Sequence, residues 1–391
     1  MSTKGLLFCS ITRYNLEKLN MDRRKFITNS LMLSGALVTA GTLGHASAET
    51  HNMQKNMTDQ GKKFRPLTLS GFGGVAIGNG FAKDNKDIPS LEAMDAAWQA
   101  GVRYYDTSPW YGLGISERRM GLYLKDKNRE DYTISTKIGR LLHPEDNFKK
   151  PGLQWGGQMN ASYTYDYSAA GARKSVEDSL QRLGIGSLDI VFVHDLSPDN
   201  GDMGKEWLKY FEEAKNGAFV ELTKMREEGL IKGWGLGVNT IEPMLKAMEV
   251  ADPDIFLSAC QYSLIVHEDD LNQVFPKVAE KGISIVVGAP LCAGFLAGKG
   301  RYLYGKTIPD FAAEKLVALR KVADNHQVDL RTAALQFSAA PDVVSAVIPG
   351  ASSAEQATAN AASFEAKIPN GFWEELKAEK LIAANAPVPN A

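Results

Sequence analysis

The sequence predicts an α/β protein folded as one (β/α)8 barrel of the TIM type, and three observations carry that expectation. From about residue 65, short β-branched or aromatic runs alternate with amphipathic helical stretches, the pattern of βα units on a parallel sheet. Eight such units can be counted. The chain has 391 residues, 44% of them hydrophobic, enough for one large core of the size such barrels reach as a single domain.

The expected strands, in order, are LTLSGFG (67–73), VRYYD (102–106), YTISTK (132–137), LDIVFVH (188–194), WGLGV (234–238), IFLSAC (255–260), ISIVVG (283–288) and VSAVI (344–348). Between the first two, PSLEAMDAAWQAG places Leu91, Met94, Ala97 and Trp98 on one helical face and stops at Gly101. After the third, Ser168 is placed to cap a helix whose face carries Val176, Leu180 and Leu183 and which ends at Gly184. Three connections, 138–167, 195–216 and 289–310, are long for a compact barrel. All three follow strand C-termini, the end where barrel enzymes build their sites. The first carries Trp155, Tyr163, Tyr165 and Tyr167, suited to a wall for a sugar or aromatic ring.

The barrel is expected over residues 65–385, with 386–391 a disordered tail. Residues 1–20 read as a spurious or disordered extension, Met21 being the better start, and 49–64 as a linker. Between them, Arg23-Arg24-Lys25, a mildly apolar run from Ile27 to Leu43 and Ala46-Ser47-Ala48 have the order of a cleavable signal peptide, 21–48. The run is too short and too rich in Ser, Thr and Gly to span a bilayer, so no stable membrane insertion is expected. Paired arginines before Phe26 resemble the twin-arginine signal, which implies the twin-arginine export machinery as a partner and a periplasmic location; an ordinary secretory signal is the alternative.

A net charge of −2 with no basic run interleaved by aromatics argues against nucleic acid as a partner and for a small molecule. Cys9 would leave with the signal, and Cys260 and Cys292 read as buried free thiols. GFGGVA (71–76) fits a dinucleotide-loop pattern but no helix follows, so its glycines are read as thinning the first strand beside a ligand. HEDD (267–270) starts a helix and is read as complementing its dipole; no metal site is expected.

The residues that carry chemistry lie at consecutive strand ends: Asp106, Lys137 and His194, with Tyr111 in the loop after Asp106. A tyrosine that moves a proton near neutral pH needs a cation to stabilise its anion, which Lys137 can supply. Asp106 would keep Lys137 charged, and His194 could donate to a carbonyl or hemiacetal oxygen.

These residues, within YYDTSPWYGLGISERRMG, STKIGR and SLQRLGIGSLDIVFVHD, resemble the aldo-keto reductase superfamily over roughly residues 66–385. The resemblance implies a metal-free barrel that transfers hydride with a nicotinamide cofactor through an Asp, Tyr, Lys and His tetrad. DTSPWYGLGISERRMG, TKIGRLL and His194-Asp195 look like the subgroup of aldose 1-dehydrogenases and pyridoxal 4-dehydrogenase. By that likeness Tyr111 takes the anomeric hydroxyl proton of a sugar such as L-fucose or D-arabinose and a lactone forms. Trp110 and Trp155, with His194, are the expected substrate contacts.

The resemblance also implies cofactor contacts from Asp106, Asn239, Gln261, Gly350, Ser352, Glu355, Gln356 and Asn360. The Ser-Asn pair usual after strand five stands here as Val238-Asn239, and VVGAPLCAG has no tyrosine where many members stack one on the nicotinamide. No Lys or Arg lies between Gly350 and Asn360 to meet a 2'-phosphate, so NAD is expected over NADP, with NADP possible. Rival functions are a broad-range NADPH-dependent aldehyde or ketone reductase and a cofactor-sensing regulatory subunit.

Overall fold

In a computed structural model of the chain, residues 63–81, 86–150, 153–305 and 307–389 are described. The expected extension 1–20, the expected signal 21–48 and nearly all of the expected linker 49–64 lie outside them.

Eight parallel strands form the sheet: β1 (Gly71–Gly73), β2 (Tyr104–Asp106), β3 (Thr133–Ile138), β6 (Ile190–His194), β7 (Gly233–Val238), β8 (Ile255–Ala259), β9 (Ser284–Gly288) and β10 (Val344–Ile348). They neighbour one another in that order, and parallel bridges Ser70↔Val347 and Gly73↔Gly350 bring the last back to the first. Each expected strand is present, most shortened at the N-terminal side. The register aligns Gly73 with Asp106 and Asp106 with Ser135, so the chemistry-bearing ends of β2 and β3 rise together.

Helices α1 (Asp87–Gln99), α2 (Ile115–Leu124), α3 (Ala169–Leu183), α4 (Trp207–Asn216), α5 (Ala218–Glu227), α6 (Glu242–Val250), α7 (Phe275–Glu280), α8 (Asp310–His326), α9 (Leu330–Ala339), α10 (Ala354–Ser363) and α11 (Asn370–Ala378) complete the fold. In α1, Met94 and Ala97 are buried while Leu91 and Trp98 pack half-buried on the same core. Ser168 caps α3 by accepting from Gly171 N–H at 3.0 Å, and Gly184 ends it at φ 67°. Inside the sheet a separate apolar cluster, including Tyr104, Phe192, Leu257, Val286 and Ile348, fills the barrel.

The long connections are more ordered than the sequence promised. The first folds as an antiparallel hairpin of β4 (Arg140–Pro144) and β5 (Ala161–Tyr165), and the second ends in α4. Gly139 starts the hairpin at φ 114°, where a Cβ would meet the Tyr167 ring at 2.5 Å, so only glycine fits. Gly73 and Gly74 do thin β1: a Cβ on them would meet Ile348 O at 2.8 Å and Asp106 O at 2.6 Å.

Two expectations are corrected. The tail does not leave the surface at 386, since Ala386 is buried and Val388 packs on the core, apolar area outweighing the cost of ordering the chain end. Asp270 of HEDD is not a solvated dipole acid: it is fully buried at the head of a π-turn (Asp270–Val274), accepting from Ser258 at 2.6 Å. Cys260 and Cys292 are buried and unpaired.

Candidate active site

Tyr111, Asp106, Lys137 and His194 are brought together, each under a tenth exposed. Lys137 Nζ donates to both Asp106 oxygens (2.9 and 2.8 Å) and to Thr107 O (2.8 Å), which uses all three of its protons. It therefore meets Tyr111 through the ring face, 4.7 Å from the centroid, rather than by a hydrogen bond to the hydroxyl. Ser135 donates to Asp106 Oδ1 at 2.7 Å and shares a 3.0 Å bond with Tyr104 OH, fixing the carboxylate from below.

Burial pushes the Asp106 carboxyl up and the Lys137 amine down, each opposed by the other's charge across a short ion pair. Burial, reinforced by the Asp106 charge, pushes the Tyr111 phenol well above the usual tyrosine range. The cation beside it does not overcome this, so the phenol keeps its proton at neutral pH. His194 is held well below the usual histidine range by burial, then by Lys137 and Arg140, and is neutral. Ser108 Oγ accepts from Trp110 N–H at 3.1 Å and lies 3.1 Å from His194 Nδ1. The serine proton has no other acceptor among the described residues, so the serine donates to Nδ1, which leaves the imidazole proton on Nε2. Tyr111 and His194 meet edge to face, centroids 5.8 Å apart.

The four groups border two adjoining cavities. The smaller, about 190 Å³, is lined by Trp110, Tyr111, Lys137, His194, Asp195 and Asn239 among others. Trp110 contacts Trp155 and Tyr163 with centroids 5.4 and 5.0 Å apart, but of these rings only Trp110 lines a cavity, while Trp155 and Tyr163, expected as its wall, back it. Tyr167 does not line it either: it is fully buried and its hydroxyl donates to His194 O at 2.8 Å.

The larger cavity, about 500 Å³, runs from Asp106 and Tyr111 to Gly350, Ser352, Gln356 and Asn360 beside the start of α10. Its floor is made thin by Gly73, Gly288 and Gly350, and Lys299, Arg301 and Arg331 add cations. Small residues that let a flat ligand approach, cations and a helix N-terminus fit a dinucleotide with its pyrophosphate. Asn239 lies in the smaller cavity, its amide on Asp199 at 2.9 Å; Gln261 donates to Asn239 O. Gln261 and the exposed Glu355 line neither cavity, because one side chain is spent on the backbone and the other faces solvent.

Several residues escaped the sequence reading. Arg140 Nη1 binds Asp195 Oδ2 at 2.7 Å, an ion pair formed across 55 positions. Tyr304 lines both cavities and stacks on Phe81, whose other neighbour is Arg301, 4.3 Å from the ring centroid. The basic run Lys299–Arg301 was the signal available for the cation-lined groove. Among the described residues no group of three or more His, Cys, Asp or Glu converges to hold a metal, and no helix is long and apolar enough to cross a membrane.

Residues 71–380 match the aldo/keto reductase family. The chain belongs to that family. It is an NAD(P)-dependent oxidoreductase, and its barrel and paired cavities are that enzyme's scaffold. It is 35% identical to a D-threo-aldose 1-dehydrogenase of a Pseudomonas species over 321 residues, covering 80% of this chain and 94% of the relative. It is 33% identical to a pyridoxal 4-dehydrogenase of Microbacterium luteolum over 331 residues, 81% and 95% of the two chains. In fold it is similar to an aldo-keto reductase of Bacillus halodurans in its holo form, with TM-score 0.61 and 24% identity over 84% of this chain and 98% of that one.

Proposed function

We propose that this aldo/keto reductase oxidises the anomeric carbon of an aldose to a lactone. The carrying observation is the convergence of Tyr111, Lys137 and His194, with Asp106 paired to Lys137, on a cavity walled by Trp110 and bearing fixed polar groups, Asp195 and Asn239. The aldose dehydrogenase relative, similar over most of its length, supports the same substrate class.

When bound, NAD(P) would supply the hydride acceptor, and Gly350, Ser352, Gln356, Asn360 and the cations of the larger cavity would hold it. His194 Nε2–H donates to the reacting oxygen and orients it. Tyr111 exchanges the proton of that oxygen: it takes the hemiacetal proton as C1 loses its hydride, and returns it in the reverse direction. Since the phenol rests protonated, oxidation draws on the small deprotonated fraction and accelerates with pH. The test is turnover of L-fucose and D-arabinose with lactone detected; activity confined to simple aldehydes would reject the reading.

A second reading, reduction of aldehydes or ketones with NADPH, is favoured by that resting phenol and by the three cations of the groove. We favour NAD because residues 350–360 hold no Lys or Arg and Arg331 is paired with Asp329 at 3.2 Å. Tighter binding of NADPH than NADH in a titration overturns that preference. The Arg23-Arg24 leader supports export by the twin-arginine machinery and a periplasmic enzyme, cleaved near Ala48. Cell fractionation checks this: the protein should stay cytoplasmic in a strain lacking that translocase.

A further inference from the structure

We propose that the Asp195 carboxylate reads the hydroxyl on the carbon next to the reacting carbon, and so selects aldoses from other carbonyl compounds; this rests on the aldose reading above. Asp195 follows His194 directly and takes φ 49°, a left-handed conformation that non-glycine residues rarely adopt, with its N–H bound to Gly237 O at 2.9 Å. It lines the smaller cavity together with Tyr111 and His194.

The two carboxylate oxygens are used differently. Oδ2 accepts from Arg140 at 2.7 Å, and the Arg140 guanidinium is itself held near the rings of Trp110, Tyr165 and Tyr163, 4.4, 4.9 and 5.7 Å from their centroids. Oδ1 lies 3.4 Å from His194 Nε2, beyond a good hydrogen bond, and so keeps acceptor capacity toward the cavity. An oxygen undergoing reaction must sit within hydrogen-bond reach of Tyr111 and His194 Nε2. The oxygen on the adjacent carbon of a sugar lies about one hydrogen-bond length further, which brings it to Oδ1.

The charge balance selects the donor. With Arg140 on Oδ2 the pair carries little net charge, so neither a cationic nor an anionic substrate group finds a full countercharge there. A neutral hydroxyl is the donor that fits, and the aromatic side chains Trp110 and Tyr304 line the same cavity and give the C–H side of a sugar apolar surface to pack against. A site built to bind a hydroxyl rejects the analogue lacking it, because the buried acceptor is left unpaired.

The experiment compares D-arabinose with its 2-deoxy analogue in the wild type, D195N and D195A, with benzaldehyde reduction run in parallel. The wild type should prefer the hydroxylated sugar about 10- to 100-fold in kcat/KM, the range of a hydrogen bond to a charged group. In D195A the ratio should fall to near unity, with D195N between, the change lying mainly in KM. D195N keeps the side-chain shape should D195A fold poorly. A ratio that survives in the variants, or a wild type that does not discriminate, overturns the assignment. If both sugars and benzaldehyde fall by one common factor, Asp195 positions His194 and reads no hydroxyl, which also overturns it. If the wild type turns over benzaldehyde but no aldose, the aldose reading itself has failed and this assignment with it.

Discussion

Asp270 gives the most quantitative consequence of the structure. Its side chain is fully buried, Oδ2 accepts from Ser258 at 2.6 Å, and Oδ1 has no partner. Burial pushes the carboxyl up to about 7. The folded protein therefore holds this proton to near neutrality, while the unfolded chain releases it near pH 4. A raised carboxyl pKa contributes stability at low pH that is lost as pH rises through the window from about 4 to 7. A shift of roughly three pH units corresponds to about 4 kcal/mol, fully lost above pH 7. D270N keeps an acceptor for Ser258 and cannot ionise. Measured by urea denaturation with tryptophan fluorescence, the stability of D270N relative to wild type should improve by about 3 kcal/mol between pH 5 and pH 8. The other titrating groups cancel in that difference. A gap independent of pH would refute a protonated Asp270 in the folded protein.

Y111F should lose about 10²- to 10⁴-fold in kcat with dinucleotide binding retained by fluorescence titration, and wild-type sugar oxidation should rise without a plateau from about pH 7 to 9 as the small deprotonated fraction of the phenol grows. K137M leaves the Asp106 carboxylate buried without its partner and should cost about 3–5 kcal/mol in denaturation, most of it recovered in D106N/K137M. S108A frees the His194 tautomer and should lower kcat about fivefold, the worth of one neutral hydrogen bond, with the dinucleotide Kd unchanged.

The barrel was legible because parallel strands buried on both sides read as near-continuous apolar runs, as in IVFVH and SIVVG. Asp106 and His194 stood out for a related reason, each being a polar residue that closes an apolar or aromatic run, whereas Lys137 follows the more polar stretch TIST. The hairpin was not legible, since RLLHP and ASYTY are short, mixed in polarity and separated by the long span 145–160. Its pairing depends on Gly139 turning under Tyr167, a tertiary condition. Helix α4 was missed although Trp207, Phe211 and Ala214 recur at helical spacing, because polar residues around them blurred the stripe. The Arg140–Asp195 pair and the Ser108–His194 contact join distant segments and have no local signature. The place of Lys137 beside Tyr111 was legible, but not that it meets the ring face while its three protons go to Asp106 and Thr107, a matter of side-chain geometry.

The hairpin is riveted at both roots to the end of β6, by Arg140 on Asp195 on one side and by Tyr167 on the His194 carbonyl on the other. Between those rivets the connection is stitched down again, by Gly156 N–H on Asn79 O and Met159 N–H on Gly112 O, and Trp155 packs against Tyr111, ring centroids 6.1 Å apart. The same strap that dresses the mouth of the pocket thus also steadies the turn that carries the proton-handling tyrosine. A graft here reaches new substrates only if it keeps Trp155 and those two backbone contacts.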